Sequence, residues 1–306
     1  MTQLPGVQAV KDLLGDSIRF IAFPTFNDPD KHRAHRQGFI EAIEQFHKLH
    51  NSRMLKLWNS PRLREIFPGA AGADLVELDS EWRIKACEIG ERLGMMFMVH
   101  IADPDTWFRA RYHDPVAFRT KLEQYEGFER MLDRFTAPWI AAHMGGWPED
   151  LNFLDAMLTR HPNLHLDTSA TKWVVRELSV HPREEVVAFF TKWNGRILFG
   201  SDIVATDDHL QPQKATTSPM ADLADSPESA YELYSSRYYT LRTMIETTYE
   251  GESPIADPDL MMVEPTKFNR MSAPPLRGMG LSPAMQQTLY AGAAERLVLE
   301  WERAHP

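Results

Sequence analysis

One cysteine, Cys87, is all that the 306 residues contain. That scarcity excludes an intrachain disulfide framework and any zinc site built on thiolates, and it suits a reducing cytoplasm. Nowhere do about 18 apolar residues run together, the least a membrane-crossing helix needs. The opening MTQLPGVQAVKDLLGDS has no basic leader followed by an unbroken apolar stretch. A cytoplasmic protein with no membrane partner is expected. Clustered positive charge is also lacking: 33 Lys and Arg are dispersed among 43 Asp and Glu, for a net charge of −10. Without a basic face there is no footprint for nucleic acid, and no Walker-type loop is present for a nucleotide. The expected partner is a small-molecule substrate.

Apolar runs of strand length alternate with longer amphipathic stretches, the βα pattern of a parallel sheet. Strands are expected at 18–26, 53–58, 95–101, 138–143, 163–168 and 196–201. Between them RQGFIEAIEQFHKLH, PVAFRTKLEQYEGFERMLDRF and LNFLDAMLTRH repeat their apolar residues at three and four, as helices do. Cys87, in the charged helical stretch EWRIKACEIGERLG, reads as inert packing. A last helix opens on Ser282 and Pro283 in cap and first-turn order. The stretch 203–280 breaks the rhythm with a polar opening, the helix YELYSSRYYTLRTMIETTYE and a Pro-rich segment. It is read as an ordered cap or extended loop inserted in a single domain spanning 1–306.

Three of the apolar runs end on a metal-capable side chain: MMFMVH on His100, WIAAH on His143 and RILFGSD on Asp202. Residues at the carboxyl ends of barrel or open-sheet strands face the active-site mouth, so three such endings describe one polar cluster. Imidazole and carboxylate are normal ligands of a catalytic Zn²⁺ or similar ion, which brings the pKa of bound water down to about 7. A histidine in reach then moves protons. Each residue also has a plain reading. His100 caps a strand, His143 precedes a Gly-Gly exit turn, and Asp202 serves as the N-cap of a following helix.

The succession of strand-His100, His143 in HMGG, NLHLDTSA and RILFGSD resembles the metal-dependent amidohydrolase superfamily. Within it, the similarity is to the amidohydrolase-related branch of aminocarboxymuconate-semialdehyde decarboxylase-like enzymes. The resemblance covers roughly residues 18–204, with the last helix as a weaker echo, and GSD after an apolar strand is its more specific motif. It implies an α/β TIM-barrel, (β/α)8-type fold and a divalent metal ion, Zn²⁺ or Mn²⁺, held by His100, His143 and Asp202. His143 and Asp202 would be the catalytic pair.

Two features depart from that family. His-x-His, carried there by the first strand, is absent, and the pair His32 and His35 lies on a polar stretch that reads as a solvated helix start. Aligning 18–26 with the family's third strand leaves its first two strands without sequence, so the barrel is expected to be incomplete at the amino end. Where the family's last helix has Asn-Ala, this chain has Ala293 and Ala294 before Glu295, Arg296 and Leu297. Lys56, Asp103, Trp107, Trp147 and Asp167 follow or end the inferred strands and are expected to line the substrate pocket, although Lys56 reads equally well as a lysine snorkelling at the edge of the core. The expected activity is hydrolysis of a small carbonyl or carboxylate compound by metal-activated water. Non-oxidative decarboxylation is the nearest alternative, and a non-catalytic, metal-deficient binding barrel another. A homodimer is expected by analogy alone.

Overall fold

The computed structural model describes residues 4–25, 28–203, 224 and 226–305. The chain falls into two compact units: Met1–Gly146 with Phe153–Leu166 and Glu295–Pro306, and Trp147–Asn152 with Asp167–Ala294. Phe26 of the first expected strand and residues 204–223 and 225 of the expected cap lie outside the described residues.

In the first unit, β1 (Met54–Asn59), β2 (Met96–Ile101), β3 (Trp139–Ala141) and residues Leu164–Leu166 of β4 (Leu164–Asp167) lie side by side in chain order, all parallel. Parallel neighbours need a crossover of a dozen or more residues, and the helical periods of the sequence supply it. Burial is nearly continuous along β1 and β2. A sheet covered on both faces requires this, and it explains why the runs MLKLW and MFMVHI lack clean alternation.

The helices are placed by their apolar faces. Phe39, Ile40, Ile43 and Phe46 are the buried stripe of helix Gln37–His50. Gly90, in helix Glu81–Arg92, allows a close approach to the sheet, since a Cβ there would stand 2.5 Å from the side chain of Leu55 and 3.2 Å from that of Phe97. Thr120 and Glu123 form a capping box that starts helix Lys121–Arg134, whose Tyr125, Phe128, Met131 and Leu132 are buried. Cys87 is fully buried and its thiol pKa is pushed up by burial, in keeping with packing.

Two expectations are corrected here. Among its described residues, 18–25, the expected strand is reduced to one bridge, in which the Ala22 N–H donates to Met54 O and the Lys56 N–H donates to Ala22 O. The next donor toward β1 in that ladder would come from residue 24, which is proline and has no N–H. The segment at His32 and His35 does begin a helix, Lys31–His35, capped by Asp30, but it is not solvated at His35. That ring is 2% exposed and meets Phe67 edge-on at 5.0 Å. Burial, followed by the charges of Arg83, Lys31 and His32, pushes its pKa down to about 3. The polar composition around it hid the fact that this helix turns His35 inward.

The second unit contains helices Thr171–Leu178, Arg183–Lys192 and Pro227–Glu246, the short β5 (Ile197–Leu198), and an antiparallel pair, β6 (Glu250–Glu252) with β7 (Pro275–Arg277). The Thr168 N–H donates to Leu198 O at 3.0 Å. Arg176, 5% exposed, is held among Glu177, Asp257 and Asp259. The described part of 203–280 holds helix Pro227–Glu246, β6, the short helix Asp259–Val263 and β7, with irregular stretches between them. Ser282 caps the last helical stretch through the Met285 N–H, with Pro283 in its first turn, as its sequence demands. Among the described residues no helix is long and apolar enough to cross a membrane.

Candidate active site

The carboxyl end of β2 carries His100, in register with Trp58 of β1, and the two rings lie 5.9 Å apart. Ala102 follows with a left-handed φ of 55° and turns the chain so that Asp103 comes back beneath the imidazole. His100 Nε2 and Asp103 Oδ1 are 2.8 Å apart, and the second carboxylate oxygen accepts the Ser60 hydroxyl at 2.6 Å. Tyr112 stands 3.4 Å from that hydroxyl and stacks on Trp107. Burial and the neighbouring Asp103 charge push the phenol pKa upward. His100 and Asp103 are 7% and 3% exposed. A carboxylate accepting from Nε2–H fixes the tautomer and leaves the lone pair on Nδ1.

β3 ends at Ala141, and the HMGG motif then makes an unusual exit, with four successive left-handed residues at His143 (φ 61°), Met144 (51°), Gly145 (62°) and Gly146 (74°). A non-glycine residue in this region costs roughly 1–2 kcal/mol, so the surroundings must impose it. They do so from two sides. Tyr125 donates its hydroxyl to Gly145 O at 2.8 Å. Gly146 lies so close to the end of β2 that a Cβ would stand 1.9 Å from Ile101 O. The result is that His143, 4% exposed, meets the ring of His100 edge-on with centroids 4.8 Å apart.

Lys56 lies within β1, two residues before Trp58 on the same face, so it sits one step below the strand end instead of at it. Three of the expected residues belong to the second unit. Asp167, 6% exposed, accepts from the backbone N–H and the hydroxyl of Ser169. Gly200 of the GSD motif packs against it and exchanges hydrogen bonds with the Thr168 hydroxyl. Asp202 is exposed, with φ at 50°, four residues beyond β5. Trp147 is half-buried, and its carbonyl accepts the Asp150 N–H at 3.0 Å.

The structure therefore brings together His100, His143 and Asp103, and adds Ser60 and Tyr112, which sequence reasoning missed. Ser60 follows a strand directly and precedes Pro61, a weak signal shared by many strand exits. Tyr112 in RYHD gives none.

The family profile described as Amidohydrolase matches residues 8–298. The chain belongs to the amidohydrolase family. No curated protein matches it. Among solved structures, an uncharacterised TIM-barrel protein from Bordetella bronchiseptica is similar at 14% identity, over 98% of this chain and 72% of the other, with a TM-score of 0.48. A 2,6-dihydroxybenzoate decarboxylase from Rhizobium is similar at 16% identity over 74% of this chain and 76% of the other, TM-score 0.37. A 5-carboxyvanillate decarboxylase from Sphingomonas paucimobilis is similar at 14% identity over 74% and 71%, TM-score 0.36.

A catalytic divalent ion usually takes about three protein ligands. Among the described residues of this amidohydrolase no three His, Cys, Asp or Glu form such a group. His100 Nε2 is engaged by Asp103, whose other oxygen is engaged by Ser60. The described side chains as arranged do not fit a metal centre.

Proposed function

We propose that this amidohydrolase is an enzyme that hydrolyses a small carbonyl or carboxylate compound, with water activated by the buried imidazoles of His100 and His143. The observation that carries the reading is the His100–Asp103 contact of 2.8 Å with the His143 ring 4.8 Å from His100. An imidazole fixed by a buried carboxylate can hold and orient a water molecule, and a second imidazole beside it can take and return that water's proton. His143 takes the proton from water as its oxygen bonds to the carbonyl carbon, then gives that proton to the leaving group. His100, locked by Asp103, orients the reacting water. The sequential parallel winding of β1 to β4, bridged at Ala22, supports placing these residues on the wall of a (β/α)8-type barrel.

The test is a panel of p-nitrophenyl esters, anilides, lactones and small carboxylic acids, followed by ¹⁸O incorporation from labelled water. His143→Ala and Asp103→Asn each lower turnover by about 10²–10⁴-fold with unfolding curves unchanged. Full activity in His143→Ala removes that residue from the chemistry. Release of CO₂ without ¹⁸O incorporation replaces hydrolysis by decarboxylation, and inactivity across the panel with saturable binding favours a binding protein.

A further inference from the structure

The second unit has an open-mouthed cavity of about 630 Å³ lined by Lys172, helix Pro227–Glu246, the stretch 254–258 and Arg270–Met271. Pockets for small organic ligands fall in the range of roughly 300–1,000 Å³. Its apolar wall is aliphatic, with Leu233, Pro254, Ile255, Pro258 and Met271. Among the described residues the lining includes no carboxylate and no aromatic ring, but it includes the cations Lys172, Arg237 and Arg270.

Those cations differ in what they already hold. Lys172 lies 4.0 Å from Asp257. Asp257 is fully buried and taken up by Arg176 and the Asp259 N–H. Arg237 is 7% exposed and makes no hydrogen bond or ion pair with any described residue, although the charges of Asp202 and Asp257 support its protonated form against burial. Arg270 is exposed and also pairs with no described residue. No described carboxylate pairs with the largely buried Arg237 guanidinium, and an entering anion supplies that partner. The planar fork fits a carboxylate, and the aliphatic wall fits a hydrocarbon body better than a hydrated phosphate. Arg270 at the exposed rim draws the anion in.

We infer that this cavity is a binding site for a small aliphatic monocarboxylate, whose carboxylate pairs with Arg237 and whose chain lies on Leu233, Ile255 and Met271. The inference stands on the second unit alone and does not rest on the function proposed for His100 and His143.

Isothermal titration with hexanoate tests it, with hexan-1-ol and inorganic phosphate as separate probes. Hexanoate binds saturably, at least about tenfold more tightly than either probe. Arg237→Gln weakens hexanoate about 10–100-fold, and the exposed Arg270→Gln, which leaves packing untouched, weakens it about two- to fivefold. Should Arg237→Gln fail to fold, the three ligands on the wild-type protein and the Arg270→Gln variant decide the matter. No saturable hexanoate binding overturns the inference. So does phosphate or hexan-1-ol matching hexanoate, or both variants binding like wild type.

Discussion

Replacing Gly146 by alanine attacks the candidate site through its backbone. The new Cβ would stand 1.9 Å from Ile101 O, more than about 1 Å inside the closest carbon–oxygen approach of about 3.3 Å. Neither partner is a flexible side chain, so the HMGG turn or the end of β2 must move. The φ of 74° at this position adds the left-handed penalty of about 1–2 kcal/mol. Together these place the loss of stability at about 2–4 kcal/mol. A shift of about 1 Å at His143 relative to His100 also costs on the order of 10²-fold in turnover.

Gly69→Ala separates the two causes. Gly69 has a φ of 69°, yet nothing lies within 4 Å of its hypothetical Cβ. That variant loses only the dihedral part, about 1 kcal/mol. Urea unfolding followed by tryptophan emission, with turnover in parallel, reads both. If Gly146→Ala is no less stable than Gly69→Ala and equally active, the account of how His143 is positioned fails.

Three further outcomes are expected. Ser60→Ala frees one Asp103 oxygen and lowers turnover by about tenfold while leaving the His100 contact in place, and an unchanged rate would mean that the hydroxyl does not orient Asp103. His35 titrates near pH 6.5 in the unfolded chain and near 3 when folded. The unfolded state therefore binds more protons between those values, and stability falls as pH drops below about 6.5. The loss is about 2 kcal/mol at pH 5, measurable by urea melts, and His35→Phe, if it folds, removes that slope; an unchanged slope would acquit the residue. After loading with Zn²⁺ or Mn²⁺ and desalting, metal analysis gives well under one ion per chain, and stoichiometric retention would refute His100–Asp103 as a closed pair.

The strands were legible wherever a run of apolar residues was long enough to be buried on both faces. The expected 53–58, 95–101, 138–143, 163–168 and 196–201 each overlap an observed strand. The failure at 18–26 has a local cause, Pro24, visible in the sequence but outweighed there by the apolar run. His100 and His143 were found because strand ends give them a pattern. Asp103 was expected as pocket lining, and its contact with His100 depends on the left-handed Ala102, which sequence does not announce. Ser60 reaches Asp103 across 43 residues and Tyr112 reaches Ser60 across 52, contacts made by tertiary packing and beyond any short-range signal.

Trp58 lies 5.9 Å from His100. Protonated imidazole is an efficient quencher of indole emission, whereas its neutral form quenches little. The cluster therefore carries its own optical gauge. Titrating the emission of the wild-type protein against that of a Trp58→Phe variant isolates this one indole and follows the charge state of His100 before any substrate is known.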